Sequence, residues 1–266
     1  MSWKVIESRQ NEAVKSLCAL SEKKVRCREG LIVAEGKTLF TDLLRKGIAP
    51  ERVFVSSANA ALREEAEGLL SGTPCEKYLL APFVFEKVTT EKGSQGIVSL
   101  FSEKKLREKN PLCRYERLIA LENLQDPGNV GTVIRTAAAL GADGVLLAGC
   151  ADPFSVKATR ASMGAIADVP IRIFREVGEI FELLKEKGVH SVAACLSEDA
   201  VEIGRARLSA PVCVFIGNEG KGLSAKAVES AEEKAIIPIS RAESLNAGVA
   251  AAIFLWEMSG KKGERT

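Results

Sequence analysis

Residues 118–135 read LIALENLQDPGNVGTVIR, and this stretch decides how the second half of the chain folds. The apolar run Leu118–Leu121 predicts a buried strand, and the sequence Asp126-Pro127-Gly128-Asn129 that follows it is typical of a tight turn. Apolar residues then recur at helical spacing over Val130–Leu140, and Gly141 suits the position just after a helix. The stretch therefore predicts a strand, a tight corner and a helix.

The same alternation of strands and helices continues along the second half of the chain. The predicted strands are Leu118–Leu121, Gly144–Leu147, Ser191–Cys195, Val212–Ile216 and Ala235–Ile239, and the predicted helices are Val130–Leu140, Ile180–Lys187, Ser224–Glu233 and Leu245–Met258. This order indicates an α/β fold with a mostly parallel sheet and helices on both faces. Ligands of such sheets bind at the carboxyl ends of the strands.

The first half predicts a smaller α/β domain. Its strands are predicted at Leu31–Val33, Val53–Val55 and Gly96–Phe101, and its helices at Thr38–Lys46 and Ala60–Leu70. Residues 102–117 are charged and contain Asn110-Pro111, which indicates a linker. We therefore predict an N-terminal domain over 1–101, a linker over 102–117 and a second domain over 118–262.

Composition narrows the classes of protein. The chain has 266 residues, of which 46% are apolar and 27% charged, and its net charge is +2, as in ordinary globular proteins. The longest strongly apolar stretch, within Leu245–Trp256, is too short to span a membrane, and MSWKVIESRQ lacks the apolar core of a secretory signal. These features predict a cytoplasmic protein with no membrane partner.

Cysteine and histidine usage argues against metal and disulfide chemistry. The seven cysteines are widely spaced with no CxxC pair, which favours buried, reduced thiols over a disulfide framework or a zinc site. The single histidine, His190, begins a predicted strand, and we interpret it as structural. We predict no bound metal.

Three segments carry polar residues where the predicted sheet would bind a ligand. In the first, Asn129 starts a helix and Arg135 lies amid apolar residues, where burying an unpaired guanidinium would be costly. Arg135 therefore requires a ligand or, alternatively, a structural carboxylate partner.

The second segment, Phe215–Ser224, has three glycines after a strand. Leu223 stands where a P-loop requires lysine, which argues against an NTPase of that class. Gly220–Ala225 fits the looser GxGxxA pattern, so an NAD(P)-dependent oxidoreductase remains an alternative.

The third segment, Ile237–Ala252, ends a strand and begins an almost wholly apolar helix. Ser244 and Asn246 lie at its start and require hydrogen-bond partners if buried. Ser244 is a candidate both for the N-cap of this helix and for a functional role.

Together and in this order, the three segments resemble the signature motifs of the SpoU (TrmH) family, S-adenosylmethionine-dependent RNA 2′-O-ribose methyltransferases of the SPOUT superfamily. The resemblance implies a deep trefoil knot in the second domain and an obligate homodimer with composite active sites. It also implies that S-adenosyl-L-methionine is the cofactor. The site residues it implies are Asn129, Arg135, Glu219, Ser244 and Asn246 for catalysis, and Gly217, Asn218, Gly220, Ile237 and Leu245 for the cofactor.

The first half carries Ser8-Arg9-Gln10-Asn11 with Lys15, then Arg26 and Val33-Ala34-Glu35-Gly36. In these residues it resembles the RNA-binding domain that often precedes this family's catalytic domain, an α/β fold similar to a kink-turn-binding ribosomal protein. The first 28 residues hold seven basic and three acidic side chains, which predicts contacts with phosphates. The predicted RNA-binding residues are Arg9, Lys15, Lys23, Lys24 and Arg26. Ribosomal RNA is favoured over transfer RNA as the substrate.

Arg135 is a poor candidate for the general base because a guanidinium stays protonated. We hypothesise that it anchors the RNA phosphate beside the target ribose. A non-catalytic RNA-binding protein and a methyltransferase acting on a base remain as further alternatives. Arg241, where the third motif commonly has Gly, and Ala247-Gly248, where it often has Val-Ser, depart from the family pattern.

Overall fold

A computed structural model describes residues 2–89, 95–242 and 244–260. The chain forms two compact units. The first contains the residues up to Lys109 together with Phe154–Ala167, and the second contains Asn110–Pro153 and the residues from Asp168 onward. The predicted end of the second domain, at residue 262, lies outside the described residues.

The first unit is built on a five-stranded mixed sheet. Its elements are β1 (Lys4–Ile6), α1 (Glu12–Ala19), α2 (Lys23–Glu29), β2 (Leu31–Glu35), α3 (Lys37–Arg45), β3 (Pro50–Ser56), α4 (Ala60–Leu69), β4 (Glu76–Leu80), α5 (Pro82–Val88), β5 (Ile97–Ser102) and α6 (Glu103–Lys109). The strand order is β1-β4-β3-β5-β2, with β5 antiparallel to both of its neighbours. Alternate strand residues face α1 and α5 in one apolar cluster, in which the rings of Phe54 and Tyr78 stack 4.9 Å apart.

The second unit is built on a seven-stranded sheet in which every neighbouring pair is parallel. The elements that follow α6 in the chain are β6 (Arg117–Glu122), α7 (Pro127–Ala139), β7 (Gly144–Ala148), α8 (Val156–Ala161), β8 (Ile171–Phe174), α9 (Val177–Lys187), β9 (His190–Ala194), β10 (Val201–Glu202), β11 (Val212–Ile216), α10 (Ala225–Ser230), β12 (Glu233–Ile236) and α11 (Ala247–Met258). All of them except α8 belong to the second unit. The strand order is β10-β12-β9-β11-β6-β7-β8.

Helices cover the parallel sheet on both faces, as predicted. Leu118, Ala120 and Phe215 pack with the apolar side of α9 and with Ala227 of α10. The intervening strand residues face the other way, and α7 and α11 pack on that side and against each other. Because β6 and β11 are neighbours, with Leu121 opposite Ile216, the loops that follow them start side by side.

Helix α8 follows β7 in the chain but belongs to the first unit. It contacts β2, where the Thr159 hydroxyl donates to the carbonyl oxygen of Val33 at 3.4 Å. Lys46 donates to the carbonyl oxygen of Gly164 at 3.0 Å. The segment Phe154–Ala167 thus completes the first unit, an arrangement that the predicted domain boundaries do not include.

Several details of the sequence prediction are corrected. Part of the stretch taken as a linker is helix α6, which buries Leu106. Cys27 and Cys113 are exposed, whereas Cys75 and Cys213 are buried as predicted. His190 has the structural contacts expected of it, with Nε2 3.0 Å from the carboxylate of Glu233. None of the helices in the described part of the chain is long and apolar enough to cross a bilayer.

Candidate active site

The first loop of the site ends in a well-capped helix. Asp126 accepts a hydrogen bond from the backbone N–H of Gly128 at 2.9 Å, and Pro127 occupies the first helical position. Helix α7 therefore begins three residues earlier than the sequence pattern predicted. This places the half-buried Asn129 in its first turn, directed toward the loop that follows β11.

Asn129 joins the three predicted segments. Its Nδ2 donates to Glu219 Oε1 at 2.8 Å, and its Oδ1 accepts from Asn246 Nδ2 at 3.1 Å. Since a side-chain amide offers a donor and an acceptor on opposite sides, this one residue satisfies both partners. Three residues selected from sequence, one in each segment, thus meet at a single point.

The second loop folds back on itself. Asn218 and Gly222 exchange two backbone hydrogen bonds of 3.0 and 2.9 Å, and Asn218 Oδ1 accepts from the N–H groups of Gly220 and Lys221. A Cβ atom on Gly217 would overlap the backbone of Gly222 and Leu223. Glycine at 217 is therefore required by the close approach of the two ends of the loop.

Glu122 and Asn123 were missed by the sequence analysis. Glu122 is only 4% exposed, and its two carboxylate oxygens accept from the N–H and the hydroxyl of Ser224 at 2.8 and 2.7 Å. The carbonyl oxygen of Asn123 accepts from Asn218 Nδ2 at 2.8 Å. The end of β6 thus holds both ends of the second loop. No local signal in the sequence links Glu122 to Ser224, because the two residues are 102 positions apart in the chain.

The third loop places Asn246, not Ser244, at the start of α11. Asn246 Oδ1 accepts from the N–H groups of Gly248 and Val249, so the helix begins two residues later than predicted. Ser244 is exposed, and its side chain makes no hydrogen bond within the described residues. The N-cap interpretation of Ser244 is therefore wrong, and its hydroxyl is free for a ligand.

A cavity of about 500 Å³ lies between the second and third loops. Its wall includes all five residues predicted to hold the cofactor and also Glu219 and Ser244; the five are Gly217, Asn218, Gly220, Ile237 and Leu245. This volume falls within the range of sites for small molecules and cofactors. Cys195 also lines the cavity, and burial raises the pKa of its thiol, so it is not a thiolate at neutral pH.

Arg135 lies further along α7, and the exposure of its side chain differs from the prediction. Its side chain is exposed in this chain, and within the described residues it makes no hydrogen bond or ion pair. The expectation that it is buried is wrong because the face of α7 that carries it is open, whereas Val133 and Ile134 are buried. The structural alternative, a carboxylate partner for Arg135, is absent from the described part of this chain.

The predicted RNA-binding residues lie in the first unit. Lys23 and Lys24 are exposed on α2, and Lys15 pairs with Glu12 at 3.1 Å. Arg26 is corrected: it is 5% exposed, and its Nη1 donates to the carbonyl oxygens of Leu20 and Ser21 at 2.7 Å each. Its guanidinium therefore supports the turn between α1 and α2 and is not available to RNA.

Comparison with known proteins identifies the family. A family model described as the SpoU rRNA Methylase family matches residues 116–256, which is more than half of the chain. The chain belongs to this family. A second family model, the MRM3-like substrate binding domain, matches residues 11–99. The family predicted from the three motifs is therefore confirmed, and this family match favours the methyltransferase over the NAD(P)-dependent alternative.

Full-length relatives of this SpoU-family chain are RNA methyltransferases. The 23S rRNA (guanosine(2553)-2′-O)-methyltransferase RlmP of Bacillus subtilis is 31% identical, covering 97% of this chain and 100% of its own. An uncharacterised tRNA/rRNA methyltransferase of Synechocystis is also 31% identical, covering 95% and 92%. The crystal structure of an AdoMet-bound rRNA methyltransferase from Sinorhizobium meliloti superposes with a TM-score of 0.83 at 32% identity, covering 96% and 97%.

Proposed function

We propose that the chain transfers a methyl group from S-adenosyl-L-methionine to a ribose 2′-hydroxyl of ribosomal RNA. The single observation that carries this proposal is the meeting of Asn129, Glu219 and Asn246 beside the 500 Å³ cavity. Membership in the SpoU rRNA methylase family supports the reaction. The RlmP relative, named for 2′-O-methylation of 23S rRNA, supports ribosomal over transfer RNA.

The residues around the cavity fit the proposed cofactor. Apolar side chains of Ile237 and Leu245 suit a nucleoside ring, and backbone groups at Gly217 and Gly220 offer hydrogen-bond partners without side-chain obstruction. When bound, S-adenosyl-L-methionine supplies an electrophilic methyl carbon. The second loop is held rigidly by Glu122 and Asn123, so the cavity wall is organised in advance.

Arg135 is proposed to bind the phosphate beside the target ribose. Its planar guanidinium forms paired hydrogen bonds to phosphate oxygens and stabilises negative charge that develops on the 2′-oxygen. In the transfer, the 2′-oxygen would form its bond to the methyl carbon as the bond from that carbon to the sulfonium sulfur breaks and S-adenosylhomocysteine leaves. The hydroxyl proton would pass to the phosphate and on to solvent. Asn129, Glu219 and Asn246 fix the start of α7 and hold the ribose in line, and the free hydroxyl of Ser244 orients it.

We propose further that two copies of the chain form the active site together in a homodimer. Arg135 projects from α7 without a partner in the described residues, which suits a side chain that completes the site of a second copy.

The trefoil knot, implied by the resemblance, remains part of this proposal. So does the role of residues 1–101 as an RNA-binding domain similar to a kink-turn-binding ribosomal protein, which the match over 11–99 supports. A cytoplasmic location is also part of this proposal.

Incubation with tritiated S-adenosyl-L-methionine and separate pools of unmodified ribosomal and transfer RNA tests the proposal. Label is expected in ribosomal RNA, and nuclease mapping is expected to place it at one nucleotide. Absence of label in every RNA pool, with S-adenosyl-L-methionine bound, contradicts methyl transfer to RNA. Label confined to transfer RNA contradicts the substrate preference alone.

A further inference from the structure

Phe83, in the first turn of α5, is one of two exposed aromatic side chains in the described part of the chain, and the other is Trp256. All ten phenylalanines lie in the described part of the chain, and Phe83 alone among them is exposed, at 48%. Its neighbours in the helix, Val84 and Phe85, are buried in the core of the first unit. Val84 and Phe85 therefore hold α5 on the core, and the ring of Phe83 faces solvent.

A guanidinium lies against this ring. Arg9 Cζ is 5.5 Å from the centroid of Phe83, and its Nε and Nη2 donate to the carbonyl oxygen of the same residue at 3.0 and 2.9 Å. These two hydrogen bonds fix the guanidinium in place. Within the described residues Arg9 Nη1 makes no hydrogen bond, so it keeps donors for an external acceptor.

The surroundings carry both basic and acidic side chains. Lys87 Nζ donates to the carbonyl oxygen of Arg9 at 3.4 Å, which holds a second cation on this surface. Lys15 lies on the adjacent helix α1, where Glu12 partly neutralises it, and Glu86 is the acidic neighbour of Lys87 in α5. An exposed ring with a fixed guanidinium and a nearby ammonium group suits a ligand that has both a flat π face and a negative charge.

We propose that Phe83 and Arg9 form a stacking site for one unpaired nucleotide of the substrate RNA. The base stacks on the ring of Phe83, and its phosphate accepts hydrogen bonds from Arg9 and Lys87. This site rests on the proposed function, since it adds a substrate contact in the first unit.

Binding of fluorescein-labelled RNA to the full chain tests the site. The probes are a single-stranded oligoadenylate of about ten nucleotides and a duplex RNA with the same number of phosphates. Phe83→Ala is expected to weaken oligoadenylate binding about 5- to 100-fold while affecting the duplex less, because a stacked base is lost. Leu69→Ala, which removes another exposed apolar side chain of the same unit, is the matched control and is expected to bind as the wild type.

Two further variants separate stacking from charge. Phe83→Trp is expected to retain affinity, and its added fluorescence is expected to be quenched by the oligoadenylate. Arg9→Gln is expected to weaken both probes and to reduce the salt dependence of binding by about one phosphate contact, whereas Phe83→Ala leaves that dependence unchanged.

The inference is overturned if Phe83→Ala binds oligoadenylate as tightly as Leu69→Ala, or loses equal affinity for both probes. A change in sedimentation with RNA affinity intact assigns the surface to contact between proteins and also overturns it. Methyl transfer to a 23S rRNA transcript is measured in parallel. Transfer by the wild type with no effect of Phe83→Ala on KM for RNA contradicts the stacking site alone, whereas absence of transfer by the wild type contradicts the proposed function.

Discussion

Asn129 connects the three loops of the candidate site through the two sides of one amide. In the sequence, Asn129 stands at the start of a predicted helix, and its role in the site, like that of Asn246, was implied by the resemblance to the SpoU family. Glu122 was missed because a carboxylate at the end of an apolar strand does not show whether its partner is solvent or a buried loop. Arg26 was wrongly assigned to RNA because local charge does not reveal that a guanidinium is turned inward.

Asn129→Asp tests this connection. Aspartate has no N–H to donate to Glu219 and brings a second negative charge to within hydrogen-bond distance of it. The variant is expected to lower kcat about 10- to 100-fold, because the start of α7 and the groups it orients shift. Thr136→Ala, on the same helix, is the control. A kcat equal to that of the control would contradict an orienting role for Asn129.

Arg135→Lys and Arg135→Ala test the guanidinium. Because the side chain is exposed in this chain, both are expected to change the free energy of unfolding by less than about 0.5 kcal/mol at fixed protein concentration. Both are expected to reduce turnover about 100-fold or more, since lysine cannot form the paired hydrogen bonds to phosphate. Urea unfolding and steady-state methylation provide the two readouts. Turnover of Arg135→Lys close to that of the wild type would eliminate every role that needs a planar guanidinium.

At the scale of elements, the second loop depends on glycine at its first position. Gly217→Ala is expected to destabilise the chain by about 1–3 kcal/mol and to abolish S-adenosyl-L-methionine binding, because the added Cβ pushes Gly222 and Leu223 away. Gly204→Ala is the matched control, since a Cβ there meets no atom within 4 Å. Calorimetric titration measures the affinity of the two variants for S-adenosyl-L-methionine. Equal affinity in the two variants would contradict the account of this loop.

The carboxylate at the end of β6 provides a second test of the loop. Glu122→Ala leaves the N–H and hydroxyl of Ser224 without their acceptor and is expected to cost about 1–3 kcal/mol of stability. The dissociation constant for S-adenosyl-L-methionine is expected to rise with it, because the loop loses its anchor. Glu229→Ala, on the exposed side of α10, is the control. An affinity for S-adenosyl-L-methionine unchanged from this control would show that Glu122 does not position the loop.

The parallel sheet of the second unit was predictable in outline, and the small elements were not. Strands such as Val212–Ile216 are continuous apolar runs. Such a run indicates a strand that is covered on both faces, as in a parallel sheet between two layers of helices. Strand β4 escaped prediction because Lys77 interrupts its apolar pattern. The Lys77 ammonium is buried against Glu67 at 2.8 Å. The boundaries of α7 and α11 shifted because Asp126 and Asn246, rather than the residues expected, supply the caps.

For the molecule as a whole, several carboxyl groups are stabilised in the charged form. The backbone N–H of Ser191 lowers the pKa of Glu232, and the hydrogen bond from Lys77 lowers the pKa of Glu67. A carboxyl group with a lowered pKa in the folded state contributes stability above its ordinary value of 4.5, and this contribution is lost as the pH falls below it.

Urea unfolding is therefore expected to give a lower free energy at about pH 4 than at about pH 7. Glu232→Gln is expected to reduce this difference, because it removes one of the groups that take up a proton. A free energy of unfolding that rises as the pH falls over this range would contradict the assignment.

The division into two units shows what sequence reasoning alone does not reach. The segment Phe154–Ala167 lies in the chain between two strands of the parallel sheet, yet it packs against the first unit. Its apolar residues fit a helix in either unit, and only contacts between residues far apart in the chain, such as Thr159 with Val33, determine which unit it joins. Local patterns carry no information about such contacts.

The central claim is that three loops hold a methyl donor against a ribose hydroxyl. Its most direct test is mass spectrometry of nucleosides from ribosomal RNA that the protein has methylated with S-adenosyl-L-methionine deuterated at the methyl group. The account predicts a deuterated methyl group on the ribose of one nucleoside, with none on any base. A deuterated methyl group on a base, with the ribose unmodified, would contradict it.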